Sequence, residues 1–232
     1  MLASLLLISI LLAGCSVPRE ESTAPQQPKD FPTTLYTNQD PRNSLYQLDS
    51  ASSIVRIKVL RGGAMAKFGH DHIVASRDLQ GYLLLGDDGG CRADFYAPLN
   101  QLIVDDPALR NEAMLLTTPS EKDIAGTKTN MLISLQANQY PFVQLQSIDC
   151  SGAINGQPIS TRINLHGVSQ EQQIDMQVSR PDGNSLLISG SFAILQTDFG
   201  IKPFSVFNGL LRVEDRLEIS YRLLARKKAR EN

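Results

Sequence analysis

Tryptophan is absent from this chain, and cysteine and histidine each occur only three times in 232 residues. So few cysteines and histidines argue against a disulfide-dense scaffold and against a metal cluster with a full set of soft ligands. Neither sign of charge dominates: 22 Lys and Arg face 24 Asp and Glu, a net charge of −2. Nucleic-acid binding calls for a basic footprint, and the one basic cluster, Arg226-Lys227-Lys228-Ala229-Arg230, follows the last strand-like segment as a solvated end. No apolar run approaches the roughly 20 residues that span a membrane as a helix. No G-x-S-x-G turn is present, and no activated nucleophile is identifiable, so the chain reads as a non-enzyme. No internal repeat is visible.

The longest apolar run lies at the start. Residues 2–13 (LASLLLISILLA) have the length of a signal-peptide core. Leu12-Ala13-Gly14-Cys15 follows and resembles the lipobox of bacterial lipoproteins. That resemblance implies that residues 1–14 are removed, that Cys15 is acylated, and that the protein is held on a membrane of the cell envelope, facing the periplasm. It departs from the pattern in having no Lys or Arg before the apolar run. Residues 15–44 read as a tether. The stretch 16–43 holds five of the twelve prolines and no glycine, and it lacks apolar periodicity. The other reading is an ordered arm docked through Phe31, Leu35 and Tyr36. Residues 45–226 have the size of one domain, and 227–232 form a basic tail.

Setting Cys15 aside leaves Cys91 and Cys150, an even pair that in an oxidising compartment suggests a disulfide. Cys91 begins one strand-like segment and Cys150 ends another, so antiparallel pairing would set them opposite each other. Two free buried thiols are the alternative.

Alternation with a period of two dominates the domain. Val55, Ile57 and Val59 share a face, with Arg56 and Lys58 opposite. The same pattern recurs at Ala93, Phe95 and Ala97; at Thr161, Ile163 and Leu165; at Ile174, Met176 and Val178; at Leu186, Ile188, Gly190, Phe192 and Ile194; and at Leu217, Ile219, Tyr221 and Leu223. Segments 79–86 and 142–149 complete about eight amphipathic strands, separated by turns at residues 87–90, 155–156 and 182–184. Between the third and fourth strands the pattern is helical. Asp106-Pro107 reads as an N-cap with Pro at the first helical position, and Thr118-Pro-Ser-Glu121 as a capping box. Ile124, Met131, Leu132 and Leu135 follow at helical spacing. The expected fold is mainly β: an eight-stranded antiparallel barrel with a helical insertion. Ala93, Ala97 and Gly190 would leave room inside it, and a filled core is the alternative.

Several segments, taken in order, carry a family likeness. They are Tyr46-Gln-Leu-Asp49, Phe68-Gly-His-Asp-His-Ile-Val74 leading to Gly81, Gln139-Tyr-Pro-Phe-Val143 with Leu145-Gln-Ser147, Leu165-His-Gly-Val-Ser169, and Gly190-Ser-Phe-Ala-Ile194 with Thr197-Asp-Phe-Gly200. Together they resemble YceI-like domains across residues 46–224. The resemblance implies a lipocalin-like barrel around an elongated apolar tunnel, and a long-chain isoprenoid or fatty-acyl amphiphile as partner for carriage, storage or envelope stress. The strand faces would then supply Val55, Ile57, Phe95, Ile163, Met176, Ile188, Phe192 and Tyr221 to the ligand, with Phe199, Phe204 and Phe207 near the mouth. Each buried methylene is worth about 0.8 kcal/mol, so such binding needs no charged group.

His70-Asp71-His72 is the sharpest local motif. Two histidines at i and i+2 share a face of an extended segment and can ligate zinc, copper or haem iron. The alternative function is therefore a metal- or haem-binding envelope protein. A structural or headgroup role is favoured, because His166 falls on the outer face of its strand and, though Asp or Glu could complete a ligand set, the spacing singles none out. The expected cofactor is none beyond a bound lipid or isoprenoid. The reading leaves room for a homodimer.

Overall fold

The computed structural model describes residues 27–229. The strands are β1 (Ser44–Leu48), β2 (Ile54–Val59), β3 (Arg61–Gly62), β4 (His72–Ser76), β5 (Gln80–Leu85), β6 (Cys91–Pro98), β7 (Ile103–Val104), β8 (Phe142–Ser147), β9 (Ile159–Leu165), β10 (Val168–Ile174), β11 (Met176–Asp182), β12 (Ser185–Leu195), β13 (Ser205–Val206), β14 (Leu211–Val213) and β15 (Arg216–Lys227). Three α-helices accompany them: α1 (Thr33–Thr37), α2 (Pro107–Glu112) and α3 (Glu121–Ser134). Among the described residues, twelve strands form one large antiparallel sheet, ordered β10-β9-β8-β6-β5-β1-β15-β2-β4-β7, with β12 joined to β15 and β11 to β12. β13, β14 and β3 make a small second sheet.

The mainly β, antiparallel expectation holds; eight uninterrupted strands do not form. One expected segment, 174–178, is broken, and β1, β4, β7 and most of β10 are strands that the alternation did not mark. A single 3-10 turn separates β1 from β2, and both pair with β15. At that break the Ser53 hydroxyl, 1% exposed, accepts the Leu224 N–H at 3.0 Å and so replaces a ladder bond. Asp175 alone separates β10 from β11. Helices α2 and α3 lie between β7 and β8, and α1 precedes β1. Asp106 caps α2 as expected, accepting from the N–H groups of Ala108 and Leu109 with Pro107 behind it. The capping box of α3 is Ser120 with Asp123, two residues beyond the expected Thr118 and Glu121.

Turn chemistry sets the registers. His166 and Gly167, both at positive φ (56° and 74°), make the two-residue turn that pairs Leu165 with Val168. A side chain on Gly167 would strike the Tyr140 ring, 2.4 Å from an ideal Cβ. The disulfide between Cys91 and Cys150 is present, with Cα atoms 4.9 Å apart. Cys91 opens β6, Cys150 follows β8, and β6 and β8 pair antiparallel from Ala93–Ser147 onward.

Residues 27–43 depart from the tether expectation, because they lie on the sheet. Phe31 and Tyr36 are buried, at 7% and 2% exposure. Phe31 meets Tyr96 edge-on, and Tyr36 stacks on Tyr82. The Tyr36 hydroxyl donates to Asp94, which also receives Arg92 Nε and Gln146 Nε2, each at 2.7 Å. Burial, and then the Asp94 carboxylate, push the Tyr36 phenol far above its ordinary range, so it stays a donor. Tyr36→Phe removes one donor from a charged, buried acceptor. It is expected to cost about 1.5–3 kcal/mol, read as a lowered urea midpoint; an unchanged midpoint would mean that the arm adds nothing to stability. The apolar run 2–13 and Cys15 lie outside the described residues, as do the first part of the 15–44 segment and the last three residues of the basic tail.

Candidate functional site

The two faces of the main sheet bury different things. On β4, Ile73 and Ala75 pack with Ile54 and Leu109 of α2 on one side. His72, Val74 and Ser76 turn to the other side, into a cavity of about 310 Å³. Two clusters line this cavity end to end. One, around the disulfide, contains Leu83, Ala93, Leu186, Ile188 and Leu223. The other, toward α3, contains Val74, Leu99, Ile163 and Leu165.

Val55, Ile57, Phe95, Ile163, Met176, Ile188, Phe192 and Tyr221 all face this cavity, as do Ala93 and Ala97. Cys91 and Cys150 form part of its wall. Phe199 does not line it. At 2% exposure it is packed with Ile201 and Leu165 behind the wall, in the 3-10 turn Gln196–Phe199. Phe204 lines the cavity and is 39% exposed, whereas Phe207 is 65% exposed and lies outside it. Gly190 makes room for a neighbouring ring, not for a ligand. It sits opposite Tyr221 in the ladder, and an ideal Cβ there would lie 2.5 Å from the Tyr221 hydroxyl. Burial, and then the charge of Asp175, raise the Tyr221 phenol to about 12.

Among the described residues that line the cavity, none is Lys, Arg, Asp or Glu. Its polar groups divide into two kinds. Ser147 is satisfied by Ser160 and Thr161, Tyr96 by Gln80, and Gln196 by the Glu214 carbonyl. His72 and Ser76 on β4, with Thr127, Asn130 and Ser134 on α3, present polar groups that no described residue engages inside it. The three α3 positions are three and four residues apart, which places them on one helix face beside Met131.

His72 is held from behind. Its Nδ1 lies 2.5 Å from the Asp105 carboxylate, whose side chain is fully buried. The other Asp105 oxygen receives the Ile73 N–H at 3.1 Å and the Arg110 guanidinium at 2.5 Å. Arg110 also donates to the Asp71 carbonyl and to Thr117. Burial alone would raise the Asp105 carboxyl; the bonds from His72, Ile73 and Arg110 outweigh it and hold the group below the ordinary carboxylate range. Asp105 is thus an anion that only accepts, so the His72 Nδ1 carries the proton. Asp105 and Arg110 went unmarked in the sequence, where Asp106-Pro107 claimed attention as a helix start.

This arrangement does not support the metal or haem reading. Among the described residues no group of three His, Cys, Asp or Glu side chains is placed to hold a metal ion.

No protein-family model matches the chain, and no curated protein does. Solved structures do. A polyisoprenoid binding domain from Saccharophagus degradans, implicated in plant cell wall breakdown, superposes with a TM-score of 0.54 at 14% identity, covering 79% of this chain and 98% of that one. Burkholderia cenocepacia BcnA gives 0.53 at 13% identity, covering 76% and 98%. The chain has the fold of these proteins, and its resemblance to YceI-like domains is borne out as a likeness of fold.

Proposed function

We propose that this chain is a non-enzymatic, YceI-like binding protein that takes one long-chain isoprenoid or fatty-acyl amphiphile into the cavity. The observation that carries the reading is the wall itself, built from alternate residues of nearly every main strand with no charged side chain among them. The fold shared with a polyisoprenoid binding domain supports it. The sheet pairing supports a closed, lipocalin-like wall. β10 pairs with β9 while β11 pairs with β12, so the continuous segment 168–182 joins the two ends of the sheet. The pairs β1 and β2, β4 and β5, β6 and β7, and β10 and β11 each read as one interrupted strand. Twelve segments less four such joins leave eight strands, with the helices after the third. Anchoring through an acylated Cys15, facing the periplasm, belongs to the same proposal and rests on the lipobox resemblance. So does a role in carriage, storage or envelope stress.

The purified, delipidated chain is expected to bind a long-chain acyl or isoprenoid probe saturably, at one site per chain. Ala97→Leu adds apolar bulk to the wall at a cost of about 1–3 kcal/mol, which a domain of ordinary stability survives. Its preferred chain length should shorten relative to wild type in a competition series, while circular dichroism stays unchanged. Folded wild-type protein with no saturable binding to any long-chain amphiphile would sink the proposal.

A further inference from the structure

We infer that His72 is the headgroup contact of this cavity, and that it selects an uncharged amphiphile bearing a hydroxyl group, a long-chain alcohol or phenol, over one ending in phosphate or carboxylate. The inference rests on the cavity being a lipid site. Three observations lead to it. The ring of His72 lines the cavity with its side chain 14% exposed, so it is neither buried away nor free in solvent. The His72 Nδ1–H donates to Asp105, so in the neutral ring Nε2 is the lone-pair acceptor, and no described residue engages it. The cavity lining offers no Lys or Arg to an anion, and Arg110, on the far side of Asp105, is already spent on Asp105, Asp71 and Thr117.

A phosphate drawn into this wall would lose its water with no full cation to replace it, a large penalty for a charged group. A hydroxyl head loses far less. It donates to Nε2, and Thr127, Asn130 and Ser134 of α3 offer further polar groups to the same cavity. His72 touches the head; Asp105 acts through it, as a positioning residue that sets which nitrogen bears the proton.

That role has a particular test. Asp105 spends one oxygen on Ile73 and Arg110, and the other faces His72. In Asp105→Asn the amide oxygen keeps the two donors, and the amide N–H group turns to His72. Nδ1 must then accept, and the proton moves to Nε2, which becomes a donor. The variant should lose the preference for a hydroxyl head and tolerate an acceptor-only ether.

The experiment is displacement of tritiated hexadecanol from the delipidated full chain, at about pH 8.5, above the range in which imidazoles commonly titrate. The competitors are hexadecanol, hexadecyl methyl ether, hexadecyl phosphate, hexadecanoate and hexadecane. Wild type should favour the alcohol about fivefold to tenfold over the ether, the value of one hydrogen bond in apolar surroundings, and by more over both anions, which also lose their hydration. The ratio of alcohol to ether should fall toward one in Asp105→Asn and in His72→Phe. Should either variant fail to fold, the wild-type series alone decides. Equal affinity for all heads, with hexadecane still binding, overturns the headgroup role and leaves the cavity reading intact. A phosphate or carboxylate bound tightest also overturns it. No saturable binding of any competitor removes the cavity reading, and this inference with it.

Discussion

Replacing Arg110 by methionine is expected to lower the free energy of unfolding by about 3–5 kcal/mol, among the largest losses from any single side chain here. Methionine roughly keeps the volume and removes the charge. Asp105 would remain fully buried, with a carboxylate that had relied on the guanidinium at 2.5 Å. The Asp71 and Thr117 carbonyls would lose their donor as well. Arg110→Lys should recover only part of the loss, since an ammonium cannot reach Asp105, Asp71 and Thr117 with one planar fork.

The pH dependence separates charge from packing. In wild type the Asp105 carboxyl titrates below its unfolded value of about 3.9. Its contribution is therefore fully present above that value and is lost as pH falls through the lower native one. Without Arg110 the buried anion is a burden, and protonating it is a relief. The gap between wild type and Arg110→Met, read from urea midpoints, should narrow from about pH 7 to about pH 4. A gap of constant size would assign the loss to packing instead.

Much of the cavity wall was legible because alternation is a local signal. Val55 and Ile57, Phe95, Ile163, Met176, Ile188, Phe192 and Tyr221 were each readable from their immediate neighbours, and each faces the cavity. Where the local signal fails, so does the reading. β10 (VSQEQQI) carries an almost wholly exposed pattern, so nothing apolar marks it as a strand beyond Val168 and Ile174. β4 is buried on both faces, between the cavity and α2, and so shows no alternation. Its first residue, His72, also looked like one of a pair of metal ligands. The strand interruptions depend on partners far away in sequence, as with Ser53 and Leu224.

The site's polar half was the least legible part. His72 and Asp105 are 33 residues apart in sequence, and only the pairing of β4 with β2 and β7 brings them together. Asp105 sits at a φ of 55°, which is uncommon for a residue other than glycine even though aspartate is enriched there, so its local sequence does not single it out. The lone phenylalanine before Gly200 shows the opposite error. A family-like segment suggested a ligand contact at Phe199, yet the side chain is core.

Removing the disulfide is the second change of large expected effect. Cys91 and Cys150 are 59 residues apart in sequence, and closing a loop of that length restricts the unfolded chain by about 4 kcal/mol in the chain-entropy model, with less often realised. The double variant Cys91→Ala/Cys150→Ala should therefore lose about 2–4 kcal/mol, and reduction of wild type should lose a similar amount. The location adds a second consequence. Both cysteines are nearly buried and belong to the wall of the cavity, next to Ala93 and Ala153. With the bond gone, that corner is held by the Cys150 N–H bond to the carbonyl of residue 91 and by the start of the β6–β8 ladder. Amide exchange should quicken first around residues 91–93 and 147–156, while β12 and β15, paired over eleven positions, stay protected. An amphiphile that fills this end of the cavity should restore part of the lost midpoint by mass action. Equal midpoints for the oxidised protein and the double variant would show that the bond adds no stability. Uniform quickening across the sheet would show that the cavity end is not an independent unit.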